Sequence, residues 1–165
     1  MKSAVMFYSY TGNCRNISNY IAKTLNIDTI ELVEESPRKG LLGNMRGVVQ
    51  ALTNTRIPLL DGKWQDLSEY STIYLVFPIW ASNVNPAVNT FIEFTNLTGK
   101  KVHIISVQGN KNIGKYHRTL DYLSKFIRYK GGRIGSFVTI VYSKKSTPES
   151  IPEQLDNFLA RRRHY

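Results

Sequence analysis

Apolar runs rich in β-branched and aromatic residues alternate along this chain with segments of helical periodicity. The apolar runs predict five strands, at Ser3–Ser9, Thr29–Val33, Thr72–Pro78, Lys101–Val107 and Gly135–Tyr142. The helical segments predict five helices, at Arg15–Leu25, Gly43–Leu52, Pro86–Thr95, Gly114–Tyr129 and Pro152–Arg162. No repeat, low-complexity tract or linker interrupts the pattern, so we expect a single domain over residues 1–165.

This alternation of strands and helices is typical of an α/β domain whose parallel sheet is covered on both faces. Right-handed crossovers make such a sheet doubly wound, which predicts three layers with five parallel strands in the middle layer. Ligands of doubly wound sheets bind at the carboxyl ends of the strands, where the strand order reverses. The loops after the first, third and fourth strands therefore form the candidate site.

The loop between the first strand and the first helix is small and polar, and it consists of Ser9, Tyr10, Thr11, Gly12, Asn13 and Cys14. A helix N-terminus leaves backbone N–H groups unpaired and carries the positive end of the helix dipole. A hydroxyl-rich loop at that position can bind a tetrahedral anion. The alternative is an ordinary N-cap, in which Thr11 or Asn13 satisfies the start of the helix.

The other two loops supply an aromatic side chain and amide groups. The loop after the third strand is Pro78, Ile79, Trp80, Ala81, Ser82 and Asn83, and the loop after the fourth is Gln108, Gly109 and Asn110. A tryptophan on a loop is unfavourable in water unless it covers a flat apolar group or folds back on the domain. An amide-and-glycine turn can approach a planar heterocycle. Together, the three loops suit a phosphorylated planar cofactor.

These loops resemble those of the flavodoxin-like family, and the resemblance covers the whole chain in order and length. "YSYTGNCRNIS" is similar to the family's Thr-Gly-Asn phosphate loop. "FPIWASNVNPAVNTFI" looks like its flavin-ring loop, with Trp80 in the stacking position, and "SVQGN" looks like its second ring-binding loop. The resemblance implies FMN, with the phosphate on residues 9–14 and the isoalloxazine ring between the other two loops.

Two residues depart from the family pattern. Cys14 stands where the family usually has Ser or Thr, and a thiol is a weaker donor than a hydroxyl, so we expect one lost contact to the phosphate. Ala81 stands where many members have glycine, and alanine resists a left-handed backbone by roughly 1 kcal/mol. The resemblance therefore implies a peptide at Ala81 that resists turning over when the flavin is reduced.

The net charge of +10 is concentrated in the second half of the chain. Residues 1–82 carry 8 basic and 7 acidic side chains, whereas residues 83–165 carry 14 basic and 5 acidic ones. Four of the basic residues share one face of the fourth predicted helix, namely Lys111, Lys115, Arg118 and Lys125. We expect this face to dock an acidic redox protein, ferredoxin-like or a reductase. The alternative is a solvated basic surface.

Composition also argues against several classes of site. The single cysteine excludes an internal disulfide and a cysteine-based metal cluster, and the three histidines lack metal-ligand spacing. No apolar run approaches the roughly 20 residues that cross a bilayer, and the N-terminus has no signal-peptide pattern. We therefore expect a cytoplasmic protein that makes no membrane contact.

Three functions fit these features, and we favour the first. An FMN flavodoxin carries electrons between proteins and needs no acid or base of its own, because the cofactor performs the chemistry. A flavodoxin-like oxidoreductase of quinone reductase type uses NAD(P)H directly, with Ser36–Ser71 and its Trp64 as a substrate wall. A regulatory or nucleic-acid module rests on charge alone, because no recognised nucleic-acid motif is present.

Overall fold

Five strands and five α-helices alternate along the chain, as the hydrophobic pattern predicts. The computed structural model describes residues 2–36, 38, 40–109, 116–142 and 150–160. The strands are β1 (Lys2–Phe7), β2 (Asp28–Glu31), β3 (Tyr70–Pro78), β4 (Lys101–Gln108) and β5 (Arg133–Val141). The helices are α1 (Asn13–Leu25), α2 (Gly40–Leu52), α3 (Pro86–Phe94), α4 (Tyr116–Tyr129) and α5 (Ser150–Ala160). A 3₁₀ turn spans Lys63–Gln65.

The sheet has the strand order β2-β1-β3-β4-β5, and every neighbouring pair is parallel. The chain places β2 on one side of β1 and β3 on the other, so the strand order reverses between β1 and β3. This is the topological switch point at which doubly wound sheets bind ligands. The predicted doubly wound, five-stranded parallel sheet is confirmed.

The sheet separates two hydrophobic cores because successive side chains of a strand point to opposite faces. In β1, Ala4 and Met6 belong to the core beneath α3 and α4, whereas Val5 and Phe7 belong to the core beneath α1 and α5. The side chains of α1 and α5 that face the sheet are aliphatic at helical spacing, which is why these segments fold as helices against it. The result is a three-layer domain.

The element boundaries differ from the predicted ones by a few residues. Strand β1 ends at Phe7, whereas the predicted strand ends at Ser9. Beyond Phe7, the structure records one more backbone hydrogen bond to β3, from the Tyr8 N–H to the Val76 oxygen at 3.1 Å. Helix α2 begins at Gly40, before the predicted Gly43. The predicted start of α4 at Gly114 and the predicted end of α5 at Arg162 lie outside the described residues.

The structure contradicts the predicted role of Trp64 in a substrate wall. Its side chain is 6 % exposed and packs in the core beneath α3 and α4. Its indole Nε1 donates to the Leu60 carbonyl oxygen at 2.8 Å, which satisfies the one polar atom of the ring. Trp64 therefore belongs to the core and forms no substrate wall.

The helices of the described residues are short. The longest, α4, has 14 residues, which is about 21 Å at the usual rise per residue, whereas a bilayer core is about 30 Å thick. No described helix has both the length and the apolar character of a membrane span. The cytoplasmic location stays a prediction.

Candidate functional site

The loop after β1 leaves the start of α1 open. Gly12 is the N-cap residue of α1, with φ 90°, and as a glycine it has no side chain to cap the helix. Neither Thr11 nor Asn13 therefore acts as the ordinary cap that was the alternative for this loop. Ser9 Oγ accepts a hydrogen bond from the Arg15 N–H at 3.2 Å, which closes the loop over the first turn. The backbone N–H groups at the tip of the helix are left for another acceptor.

Arg15 and Cys14 do not add charge to this loop. The Arg15 guanidinium turns to Glu31 of β2, with 2.6 Å between Nη2 and Oε1. Cys14 is 2 % exposed and packs in the core beneath α1 and α5, and burial raises the pKa of its thiol. The thiol is therefore neutral at physiological pH, and the loop after β1 remains an uncharged donor site.

The loop after β3 is a tight hairpin turn. Trp80 and Asn83 exchange two backbone hydrogen bonds, of 3.1 Å and 2.9 Å, and the two residues between them have positive φ, 48° at Ala81 and 64° at Ser82. Two positive φ values between such a pair define a type I′ turn, which favours Asn and Gly. Ala81 thus already occupies the left-handed conformation that its side chain resists. Residues held in this way are typical of functional loops.

Contacts within the turn and from α4 hold this strained turn in place. Within the turn, the Asn83 amide donates to the Ala81 carbonyl oxygen at 2.8 Å. Thr119 of α4, which is buried, donates to the Ser82 carbonyl oxygen at 2.6 Å. Asn85 joins the end of β3 to the start of α3, because its Nδ2 donates to Pro78 and its Oδ1 accepts from the Val88 N–H.

The loop after β4 supplies a buried donor. Among the described residues, Gln108 Nε2 is buried and has no hydrogen-bond partner. Leaving such a donor unsatisfied is costly, so its presence in a cavity wall points to an acceptor on a ligand. Gly109 follows at the end of β4, and Asn110 lies outside the described residues.

The three loops surround one cavity of about 200 Å³ at the carboxyl edge of the sheet. Ten of the predicted site residues line it, namely Ser9, Tyr10, Thr11, Asn13, Cys14, Pro78, Ile79, Trp80, Gln108 and Gly109. Four described site residues lie in the same loops without lining the cavity, namely Gly12, Ala81, Ser82 and Asn83. Sequence reasoning missed Val107 and Tyr142, which also line it. Tyr142 directly follows β5, so the carboxyl-edge rule applied to the fifth strand would have found it.

Trp80 lines the cavity and also packs against the protein. Its ring meets the rings of Tyr8 and Tyr10 nearly at right angles, with centroids 5.6 Å and 6.0 Å away. The Arg38 guanidinium carbon lies 5.2 Å from the Trp80 ring centroid. Part of this half-buried ring is therefore folded onto the domain, as one alternative predicts. Another part lines the cavity, where the other alternative expects a flat ligand.

The described residues that line the cavity carry no charge. None of its described lining residues is Asp, Glu, His, Lys or Arg. The described residues also contain no cluster of His, Cys, Asp and Glu side chains that could hold a metal ion. The cavity therefore offers hydrogen bonds, helix N–H groups and aromatic surface.

Comparison with known proteins gives the family. No curated protein matches the chain. A protein of Bacteroides uniformis assigned to the flavoproteins has a similar structure, with 23% identity, a TM-score of 0.73 and coverage of 94% of this chain and 97% of that one. A Lactobacillus acidophilus flavoprotein solved in complex with FMN has 13% identity, a TM-score of 0.67 and coverage of 96% and 98%. Oxidised flavodoxin 1 of Bacillus cereus has 18% identity, a TM-score of 0.60 and coverage of 100% and 99%.

Because these identities are all below 25%, the likeness to the solved structures shows a shared fold. The family model described as Flavodoxin matches residues 2–139, which include all three loops of the cavity. Because this match spans most of the chain, the protein belongs to the flavodoxin family.

Proposed function

We propose that the cavity binds FMN and that the protein carries electrons between redox partners. Family membership supports the cofactor, and so does the FMN found in the related flavoprotein of Lactobacillus acidophilus. When bound, FMN supplies reversible transfer of one or two electrons. The protein's own contribution is to bind the phosphate, to orient the ring and to limit its exposure to water.

The cavity residues fit the two chemically different ends of FMN. The open N-terminus of α1, with the hydroxyls of Ser9 and Thr11, offers donors to the phosphate without a charged side chain. Trp80 offers an aromatic surface to the isoalloxazine ring. The unpartnered Nε2 of Gln108 offers a hydrogen bond to the acceptor atoms of that ring.

The neutral lining is the observation that carries the proposed role. An enzyme that moves protons on its substrate needs an acid or a base in reach of the reacting atoms. The described cavity residues include no Asp, Glu or His, so the residues present suit a protein that only holds its cofactor and exposes it to a partner. An electron carrier of this kind is the function that we propose.

The basic face of α4 is the proposed docking site for an acidic redox protein. Of the four residues that the sequence predicts for this face, Arg118 and Lys125 are exposed on α4, and Lys111 and Lys115 lie outside the described residues. Leu120, Leu123 and Ile127 occupy the buried side of α4, as the spacing predicts. Exposed charges of this kind set the rate of association more than the affinity, and salt screens them.

Electron transfer from a reduced ferredoxin-like protein, or to an oxidised one, tests this role. Reversing Lys115 and Arg118 to Glu is expected to slow transfer at low salt and to leave FMN binding intact. The matched control reverses Lys23 and Lys63 to Glu, because both are exposed and the net charge changes equally. Transfer rates that ignore ionic strength, or that fall equally in both double variants, would mean that the α4 face is only a solvated surface.

A direct NAD(P)H-dependent oxidoreductase is the second candidate. The observation that favours it is space for a second ligand, because a cavity of about 220 Å³ shares Ser9 and Tyr10 with the first. Its lining also includes Arg15 and Arg38 together with the two carboxylates that pair with them, Glu31 and Glu34. Steady-state oxidation of NADPH by the FMN-loaded protein separates the two functions. An electron carrier shows almost no turnover without a partner reductase, whereas an oxidoreductase turns over with a quinone alone.

A further inference from the structure

A buried ion pair lies beside the cavity. Arg38 Nε donates to Glu34 Oε1 at 2.8 Å, and the two side chains are only 6% and 8% exposed. The hydroxyl of Tyr8, at the end of β1, donates to the same carboxylate oxygen at 2.5 Å. Two charges removed from water gain little net stability from each other, so a buried pair calls for another explanation of its presence.

The pair reaches the cavity through Trp80. The Arg38 guanidinium carbon lies 5.2 Å from the Trp80 ring centroid, within the range of a cation–π contact. The ring of Tyr8 meets the same tryptophan at 81°, with centroids 5.6 Å apart. The Glu34 carboxylate thus accepts hydrogen bonds from both side chains that contact the Trp80 ring here, Arg38 and Tyr8.

Helix α2 closes this arrangement from the side. A Cβ atom built on Gly47 would lie 2.9 Å from Trp80 Cζ3 and 3.0 Å from Arg38 Nη1, which is closer than side chains tolerate. A glycine at this position therefore lets α2 pack directly on the tryptophan and the guanidinium. The Trp80 ring is confined by a cation, an aromatic ring and a helix backbone, while its remaining surface lines the cavity.

We propose that Arg38, held by Glu34, is a positioning residue that fixes the Trp80 ring for stacking on the flavin. This inference rests on the proposed binding of FMN, but the fixing of the ring is measurable without any flavin. Arg38 contacts the tryptophan of the ring-binding loop, and among the described contacts its hydrogen bond and ion pair go to Glu34 and not to residues 9–14. Its loss therefore weakens the binding of every flavin by the same factor, whether or not the flavin carries a phosphate.

The test compares Arg38→Met with a matched control, Arg56→Met. Arg56 makes the same kinds of contact at an exposed position away from the cavity: its guanidinium pairs with Glu93 at 3.0 Å and lies 5.9 Å from the Phe126 ring centroid. It therefore controls for the loss of an arginine, and the Trp80→Ala background controls for the burial of the Arg38 pair. Arg38→Met is expected to weaken FMN and riboflavin binding equally, by about two- to thirty-fold, which is the range for a cation–π contact. Arg56→Met is expected to change neither affinity. Thr11→Val, on the phosphate loop, is expected to weaken FMN binding alone.

A double-mutant cycle shows whether Arg38 acts through the tryptophan. If it does, Arg38→Met has no further effect on flavin affinity in a Trp80→Ala background. Near-UV circular dichroism of the flavin-free protein, in a Trp64→Phe background that leaves Trp80 as the one tryptophan, is expected to lose intensity in Arg38→Met. A residue that serves only the fold would lower the melting temperature and leave both readouts unchanged in the folded protein.

Several outcomes overturn the inference. Unchanged flavin affinity in Arg38→Met does so, and so does a loss that is the same with and without Trp80. If Arg38→Met fails to fold, two other variants are held to the same criteria: Glu34→Gln, which weakens the hold on Arg38 and Tyr8, and Gly47→Ala, which crowds the ring from α2. If the wild type binds neither flavin, the proposed function fails, while the near-UV signal of Trp80 still decides whether Arg38 fixes the ring.

Discussion

The loop after β1 and the loop after β3 meet at one cavity but are built in opposite ways. The first takes its character from its own residues, because small side chains and a helix N-terminus with glycine at the cap make it a donor site. The second takes its conformation from distant residues, because Thr119, Arg38 and the α2 backbone hold a strained turn and its tryptophan. A local site tolerates changes elsewhere in the fold, whereas a clamped site does not.

The largest effect is expected in the loop after β1. Replacing Thr11 with Val and Gly12 with Glu removes a hydroxyl and places a negative charge at the tip of α1, where the phosphate is proposed to bind. We expect FMN binding to be lost, as measured by equilibrium titration, while far-UV circular dichroism shows an intact fold. Flavin that still copurifies at full occupancy would contradict the phosphate assignment.

In the loop after β3, the largest effect is expected from Trp80. Trp80→Ala is expected to weaken FMN binding by roughly 1–3 kcal/mol, if stacking of bases on aromatic side chains is a fair guide. In the wild type, added FMN should strongly quench the fluorescence of this tryptophan. A Trp64→Phe background removes the other tryptophan, which lies in the core, so that the signal comes from Trp80. An unchanged affinity would mean that Trp80 serves only to pack against Tyr8 and Arg38.

The strain at Ala81 predicts that replacing alanine with glycine has opposite effects on stability in this turn and in a helix. Ala81→Gly relieves a left-handed alanine at φ 48° and is expected to raise the free energy of unfolding by roughly 1 kcal/mol. Ala22→Gly, inside α1, is expected to lower it by roughly the same amount, because glycine is unfavourable in a helix. Denaturant unfolding of both variants measures the two changes. Equal signs would show that the turn at Ala81 stores no strain.

The smallest expected effect concerns the neutrality of the loop after β1. Burial raises the pKa of the Cys14 thiol in the folded protein, so its neutral form is favoured there. This contribution to stability is fully present below the unfolded pKa of about 8.5 and is lost as the pH rises toward the folded value. Relative to Cys14→Ala, the wild type should therefore lose stability between about pH 8 and about pH 9.5. A constant difference over that range would indicate a thiol that ionises freely in the fold.

The contrast between the two loops also explains what the sequence could predict. The order of the elements and the loop after β1 follow from local patterns, namely apolar periodicity and small residues before a helix. The contacts that hold Trp80 do not, because Arg38 and its partner Glu34 lie in an irregular segment and the tertiary fold brings Arg38 against the tryptophan. The left-handed Ala81 was also beyond local reasoning, since tertiary contacts override its preference for negative φ.

Trp64 and Tyr142 show the same limit from two directions. Both are aromatic residues near predicted loops, and sequence alone does not distinguish a core side chain from a cavity wall. The fold buries Trp64 under α3 and brings Tyr142, at the end of β5, to the cavity. The carboxyl ends of parallel strands all lie at one edge of the sheet, and the strand order determines which of them are neighbours there.

A crystal structure of the FMN complex tests the division of labour between the two loops most directly. The predicted result is a phosphate bonded by the backbone N–H groups and hydroxyls of residues 9–14, with the isoalloxazine ring stacked on Trp80 and Arg38 still seated against that tryptophan. A phosphate bound outside residues 9–14, or a ring that makes no contact with Trp80, would contradict it.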